Sequence, residues 1–139
     1  MANKYTSVIT QLDFSLRIQA EFIGKDLLVS ITGGDHPHIG AITTIDQTSK
    51  TSDQAFPSHD GRVHKDDTLS RQIIQIIKSS VPGVCVVLAG VHVDHISKEQ
   101  LKATGPMTVE LSQRLKKWLD NTTVTITDPQ YYGKSEQPE

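Results

Sequence analysis

The sequence predicts one α+β domain in which a mixed β-sheet packs with two or three helices into two or three layers. Three features of its 139 residues indicate this fold class. The N-terminal third alternates apolar and polar residues and so predicts an antiparallel hairpin. Two later segments show helical spacing, and an apolar run rich in β-branched residues lies between them. We assign residues 1–127 to a single domain and expect a disordered polar tail over residues 128–139.

Period-two alternation marks the N-terminal strands. Every even-numbered position from 12 to 22 is apolar and every odd-numbered position is polar, which predicts a strand with one buried face. Turn residues at positions 24–26 then precede a second apolar run at 27–32, so the two segments predict an antiparallel hairpin. Residues 5–10 either extend the first strand or form a separate one.

The middle of the chain combines a further strand with a long polar segment. Residues 39–45 are rich in Ile and Thr and predict a third strand, so the Gly-rich segment before them is read as a loop. Residues 46–67 show no periodicity beyond a short strand near Ala55 and Phe56. Unstructured segments of this length in a compact domain are usually functional or mobile.

An amphipathic helix and a central strand are expected next. Apolar residues recur at helical spacing over residues 69–80, and a Pro-Gly pair follows that helix. Residues 84–91 form an almost continuous apolar run, which is typical of a central strand covered on both faces. The single cysteine, Cys85, lies in this run, so we expect a buried and unreactive thiol.

Two helices are expected after that strand. Ser97 and Gln100 have the spacing of a capping box and predict a short helix over residues 97–103. Thr104-Gly105-Pro106 contains two poor helix formers, so we expect a break there. Apolar residues at helical spacing then predict another helix that ends near residue 121.

Composition excludes two classes of partner. Fourteen basic and 16 acidic residues give a formal net charge of -2, and no segment gathers the basic stripe that nucleic acid requires. The longest apolar run is too short to cross a bilayer, and the polar N-terminus lacks the apolar region of a signal peptide. We therefore expect a cytoplasmic protein that binds neither nucleic acid nor membranes.

All six histidines lie in predicted loops or at strand ends, which is the strongest compositional sign of a functional site. In His36-Pro37-His38 the proline favours an extended backbone, so both imidazoles can face one ligand. His92-Val93-Asp94 repeats this spacing where the central strand ends, a usual ligand position in sheets with crossover helices. Such side chains suit a transition metal or, when protonated, an anion. Surface histidines in turns, without a ligand, are the alternative.

Backbone amides and cations near these histidines suit a phosphate group. Gly33-Gly34 can expose N–H groups to an anion, or can form a tight structural turn. Residues 61–66, with Arg62, His64 and Lys65, precede a predicted helix and can hold a phosphate or form a solvated linker. The glycine pair leads into a strand, so it is neither a Walker loop nor a dinucleotide fingerprint.

Three segments together resemble a known family. They are Gly-Gly-Asp-His-Pro-His-Ile-Gly at 33–40, His-Lys-Asp at 64–66 and Gly-Val-His-Val-Asp-His at 90–95. The family is the small D subunit of gallate-type hydroxyarylic acid decarboxylases, regarded as a prenylated-flavin chaperone. The resemblance covers residues 27–119. Position 95 is His where the family pattern leads us to expect Asn.

The resemblance implies a non-catalytic accessory subunit that binds prenylated FMN, or FMN, and helps to deliver it to the catalytic subunit of a UbiD-type decarboxylase. It implies no catalytic residue, and its cofactor-binding residues are Gly33, Gly34, Asp35, Pro37, His38, Ile39, Gly40, His64 and Lys65. A divalent transition metal would be held by His38, His92 and Asp94. A homodimer is one expected assembly. Roles for His36, His59 and His95 stay open.

Two other functions remain in play. In a small metal-dependent enzyme, the same three ligands would activate a water while another group acts as base. A cofactor-free assembly chaperone, similar to those of the proteasome, would use such a domain as a dimer and would need no histidine cluster. We favour the flavin chaperone because the candidate loops contain no Glu, and no Asp free of the metal-ligand set other than Asp35, with an obvious catalytic partner.

Overall fold

The computed structural model describes residues 3–48, 50–57 and 66–139. The elements in chain order are β1 (Lys4–Gln11), β2 (Phe14–Ile23), β3 (Asp26–Gly34), β4 (Ala41–Ile45), β5 (Thr51–Ala55), α1 (Asp67–Ile77), a 3₁₀ turn (Lys78–Ser80), β6 (Cys85–His92) and α2 (Lys98–Asp120). The predicted α+β class with a mixed sheet is confirmed. No helix in these described ranges is long and apolar enough to cross a membrane.

The six strands form one sheet in the order β1-β2-β3-β6-β4-β5. β1, β2 and β3 form an antiparallel meander, which includes the predicted hairpin. β6 pairs parallel with β3 and antiparallel with β4, and β4 pairs antiparallel with β5. The last strand in the chain is therefore inserted between β3 and β4, and the connection from β3 to β4 must cross it.

One face of the sheet carries the hydrophobic core. The inward-facing residues of β2, β3 and β6 are buried beneath α1 and α2. Ile73 of α1 and Leu111 of α2 are 0% exposed, and burying each such side chain stabilises the fold by roughly 1.5–3 kcal/mol. Strand residues that alternate with the core, such as Arg17 and Leu88, are exposed or half-buried. The domain thus has two layers, and we call the sheet surface opposite the helices the open face.

The sequence placed the N-terminal strands correctly but not all of their ends. Residues 4–11 form a separate strand, and β2 begins at Phe14 because Leu12 and Asp13 form a turn with φ of 51° and 66°. Leu12 is 52% exposed, so its place in the alternation did not signal burial. β3 continues through Gly34, whereas the sequence had assigned the glycine pair to a loop.

The predicted break at Thr104-Gly105-Pro106 is wrong, because α2 is a single helix of 23 residues. Pro106 removes one backbone hydrogen bond and strains the preceding turn, at a cost of ~3 kcal/mol. The proline is exposed, while the buried stripe continues from Met107 along the helix. Burial of that stripe outweighs the local cost. The predicted capping box is confirmed, with Ser97 and Gln100 each accepting the other's backbone N–H.

The central position of β6 is confirmed, but among the described residues its open face is buried only at Gly90, so the expectation of cover on both faces is met in full only on the helix side. Cys85 and Val87 are 0% exposed beneath the helices. Burial also raises the pKa of the Cys85 thiol to about 12, in keeping with a structural cysteine. Val86 and Leu88 face the other way and are only half-buried.

Candidate functional site

The two histidine segments meet at the carboxyl end of β6. The backbone amides of Asp35 and His36 donate to the carbonyl oxygen of His92, at 2.7 and 3.2 Å. Further along, the amide of Gly40 donates to the carbonyl of Ala89 at 2.8 Å. The loop between β3 and β4 is therefore bound along the end of β6, which brings the two histidine segments side by side.

Close backbone approach explains three glycines of these segments. A Cβ at Gly90 would collide with the carbonyl of His38, where the loop passes over the open face of β6. Gly34 has φ of 76°, and a Cβ there would collide with the carbonyl of His92. Gly33 lies against the carbonyl of Ser15 on β2 in the same way. Gly33 and Gly34 end β3, whereas the sequence had placed them in a loop, and their contact with an anion stays a prediction.

An exposed carboxylate bridges two imidazoles at this end of the sheet. The two carboxylate oxygens of Asp94 lie 3.1 Å from His36 Nε2 and 3.0 Å from His92 Nε2. The two ring centroids are 5.4 Å apart. The hydrogen bond from His36, with that from His92, lowers the pKa of Asp94 below its ordinary value. We call His36, His92 and Asp94 the bridged cluster, and Asp35 supports it by accepting the Asp94 amide at 2.8 Å.

A second carboxylate and imidazole pair lies beside the bridged cluster but is largely buried. His38 Nε2 is 3.3 Å from Asp66 Oδ2, and the other Asp66 oxygen accepts the Val91 amide at 3.1 Å. The Nδ1 atom of His38 lies 2.9 Å from the carbonyl oxygen of His36. Because a carbonyl oxygen only accepts, Nδ1 carries the proton of this hydrogen bond. His38 thus links the loop to the start of α1.

Asp66 is a site residue that the sequence reasoning missed. It precedes α1 directly, and a carboxylate in that position usually caps the helix. Its side chain makes no capping hydrogen bond and turns instead to β6 and His38. The available signal was its place in the His-Lys-Asp segment, next to two residues that were counted as cofactor ligands.

The structure rearranges the predicted metal ligands. His92 and Asp94 lie together, but the ring next to them is that of His36, while His38 is paired with Asp66. Within the described parts of the chain, no group of three His, Cys, Asp or Glu residues is arranged to hold a metal ion. His59, His64 and Lys65 fall outside the described residues.

The remaining predicted residues form the rim of an open surface. Pro37 and His95 are exposed, Ile39 is 57% exposed, and Gly40 is buried against β6. Cavities of about 480 and 370 Å³ lie elsewhere, one beside the 3₁₀ turn and one beside residues 122–126. Imidazoles, carboxylates and an exposed aliphatic side chain therefore share a surface that ligands can approach directly.

The fold is a small α+β domain with a counterpart among solved structures. A chain in the crystal structure of a chaperone complex for yeast 20S proteasome assembly aligns with a TM-score of 0.53 and 13% identity. The alignment covers 85% of this chain and 98% of that chain. At this identity the likeness shows a shared fold.

Sequence comparison assigns the family. Residues 10–120 match the model of the prenylated flavin chaperone LpdD-like domain. The chain is also 40% identical to Protein LpdD of Lactiplantibacillus plantarum over 133 residues, which cover 96% of this chain and 98% of that protein. This chain belongs to the prenylated flavin chaperone LpdD-like family, and its role is that of an accessory protein and not of an enzyme.

Replacing Gly90 by Ala should destabilise the fold by roughly 1–3 kcal/mol, because the new Cβ displaces the loop at His38. Urea unfolding of the purified variants measures this. Gly105→Ala is the matched control: its Cβ meets nothing nearer than Gln72 Nε2 at 4.0 Å, and alanine favours the helix by about 0.5–1 kcal/mol. Equal stability of Gly90→Ala and the unchanged protein would contradict the crossing geometry.

Replacing His36 by Ala should raise the pKa of Asp94 toward 3.8, because the His36 hydrogen bond is the main cause of its lowering. NMR of the carboxyl carbon against pH measures the change. The bridge stabilises the loops above pH 3.8 and is lost as the pH falls through the lowered pKa of the folded state. Asp46, whose pKa is lowered by Thr48 and Lys50, should titrate unchanged. An unaltered Asp94 titration would argue against the bridge.

Proposed function

We propose that this protein binds prenylated FMN, or FMN, at the bridged cluster and the 35–40 loop, and helps to deliver it to the catalytic subunit of a UbiD-type decarboxylase in the cytoplasm. Family membership supports the chaperone role. The observation that supports the site is the convergence of two separate segments on the end of β6. Asp35 and His36 bind the His92 carbonyl, while Asp66 binds the Val91 amide.

The phosphate of the cofactor has its best partners next to Asp66. His64 and Lys65 directly precede this residue in the chain. Asp66 is only 8% exposed and its carboxylate accepts the Val91 amide of β6, so the residue that follows Lys65 is anchored at the site. The amides of the first turn of α1 add a favourable dipole for an anion. A dianionic phosphate would gain charge-assisted hydrogen bonds there.

The flavin ring would rest on aliphatic and imidazole surfaces. Aromatic residues make up only 5% of the chain, and Phe14 and Phe22 are buried in the core. Ile39 is 57% exposed beside the cluster, and the rings of His36 and His92 are exposed as well. Planar imidazoles and an aliphatic side chain can cover one side of a flat ring.

An open site suits a protein that hands its ligand on. Small-molecule sites that hold a ligand firmly usually enclose most of its surface. The bridged cluster is solvent-exposed, with side-chain exposures of 65% for His36 and 54% for both His92 and Asp94. Its hydrogen bonds can exchange with those of an incoming phosphate or of a docking enzyme. We propose a homodimer as the assembly that presents this surface.

A divalent transition metal on His38, His92 and Asp94 is the second element of the proposal and comes from the sequence. In this arrangement the His38 imidazole would exchange its Asp66 partner for the metal. We expect tag-free protein to retain such a metal after supplementation, and His92→Ala to lose most of it, as measured by elemental analysis. If tag-free protein holds no metal after supplementation, the ligand assignment fails and the histidines are left for anion binding or for structure.

Prenylated FMN should bind more tightly than riboflavin, because only the former carries the phosphate. In fluorescence titrations, with FMN and riboflavin as a stable probe pair, Lys65→Ala should weaken the phosphorylated flavin by about tenfold and leave riboflavin almost unchanged. Lys25→Ala is the matched control, since Lys25 lies in the turn before β3, at the opposite end of that strand. If Lys65→Ala weakens the binding of FMN and of riboflavin equally, Lys65 does not bind the phosphate.

Delivery is tested separately from binding. Co-expression should raise the activity of a UbiD-type decarboxylase when cofactor is limiting, and the protein alone should catalyse no decarboxylation. His38→Ala should impair transfer. If decarboxylase activity is the same with and without this protein, at limiting and at saturating cofactor, the delivery role is contradicted.

A further inference from the structure

The open face of the sheet carries apolar side chains that the helices do not cover. Leu28 pairs in register with Val86, and Ile42 pairs with Leu88, so the four side chains are neighbours. All four are half-buried. A strand that is apolar on both faces, as β6 is, is typical of strands covered on both sides. We call these four residues the open-face patch.

We propose that a second copy of this chain covers the open-face patch by packing sheet against sheet. The proposal specifies the interface of the homodimer put forward with the proposed function and rests on it. The six strands contain eight, ten, nine, five, five and eight residues in chain order. At a rise of ~3.3 Å and a strand spacing of ~4.8 Å, the face presents about 700 Å². Stable interfaces bury about 600–1,000 Å² per partner, so an interface that uses most of this face falls within that range.

Two opposite charges on β2 can match each other across a two-fold axis, although Glu21 also lies 3.8 Å from Lys4 of β1 in its own chain. Gln19, Ser30 and Leu88 form one row across β2, β3 and β6. On β2, Arg17 lies two residues to one side of this row and Glu21 two residues to the other. A two-fold axis along the row sets Leu88 against Leu88, and Arg17 of each copy against Glu21 of the other. An apolar centre with a polar rim is the usual anatomy of a specific interface.

The same packing brings the second copy to the flavin site. Side chains alternate along β6, so His92 lies on the open face with Leu88. The bridged cluster therefore lies at the end of the surface on which the second copy sits. An aliphatic wall from the second copy would supply flavin contacts that a chain with few aromatic residues lacks.

Leu88→Glu tests the interface directly, because Leu88 lies at its centre and points away from the core. Sedimentation equilibrium of the unchanged protein should give twice the chain mass of 15.3 kDa, and Leu88→Glu should give the single mass. Leu101→Glu is the matched control, since Leu101 is 61% exposed on α2 in the other layer and should leave the dimer intact. A monomeric unchanged protein, a dimeric Leu88→Glu or a monomeric Leu101→Glu would overturn the proposal.

Charge exchange on β2 provides a second test that leaves the apolar patch unchanged and holds even if Leu88→Glu fails to fold. Arg17→Glu and Glu21→Arg should each weaken the dimer about tenfold, because like charges then face each other. The double variant should restore the original dissociation constant at low salt. A double variant as weak as the singles would overturn the two-fold arrangement.

Flavin titration of the same variants separates this proposal from the proposed function. If the dimer supplies part of the site, Leu88→Glu binds FMN more weakly than Leu101→Glu does. If the two variants bind FMN equally, the second copy does not contribute an aliphatic wall to the flavin site. If the unchanged protein binds no flavin, the proposed function is wrong. The masses from sedimentation equilibrium would still show whether the open-face patch forms a dimer interface.

Discussion

The carbonyl oxygen of His92, which accepts the amides of Asp35 and His36, is the interaction on which the functional surface depends. It follows from the strand order. Because β6 is inserted between β3 and β4, the chain that leaves β3 must pass over β6 to reach β4. That crossing leaves no room for side chains at Gly34 and Gly90. Gly34 and Gly90 are thus needed for the close approach of these segments, and Asp35 and His36 in the loop are left exposed.

Two carboxylates with different surroundings have different roles in the site. Asp66 is nearly buried and ties the start of α1 to β6 and to His38, so its role is to fix the geometry. Asp94 is exposed and holds two imidazoles at the edge of the sheet. An exposed ion pair of this kind contributes little to stability, so its groups are free to exchange partners. A rigid base beneath an exchangeable surface is suited to a protein that binds a ligand and releases it.

The shared fold and the separate family illustrate how function is added to a scaffold. At 13% identity, the domain aligns with a chain of a proteasome-assembly chaperone complex over 85% of its length. The family match, in contrast, rests on sequence similarity over residues 10–120, which include the loop that crosses β6. A two-layer domain leaves one sheet face uncovered, and that face can bind another protein. In the arrangement we propose, that face binds a second copy of the chain and the loops hold the cofactor.

The sequence by itself determined where most of the strands and helices lie, that β6 is central, and that His36, His38 and His95 lie outside strands and helices. Local periodicity reports which side of a segment is buried, and capping residues such as Ser97 mark a helix start. Local periodicity does not show which strands are neighbours across a crossover connection. His36 and Asp94 are 58 positions apart, and their contact exists only because β3 and β6 are neighbours. The tertiary structure alone therefore decided that His36 and not His38 joins Asp94, that Asp66 belongs to the site, and that packing of α2 overrides Pro106.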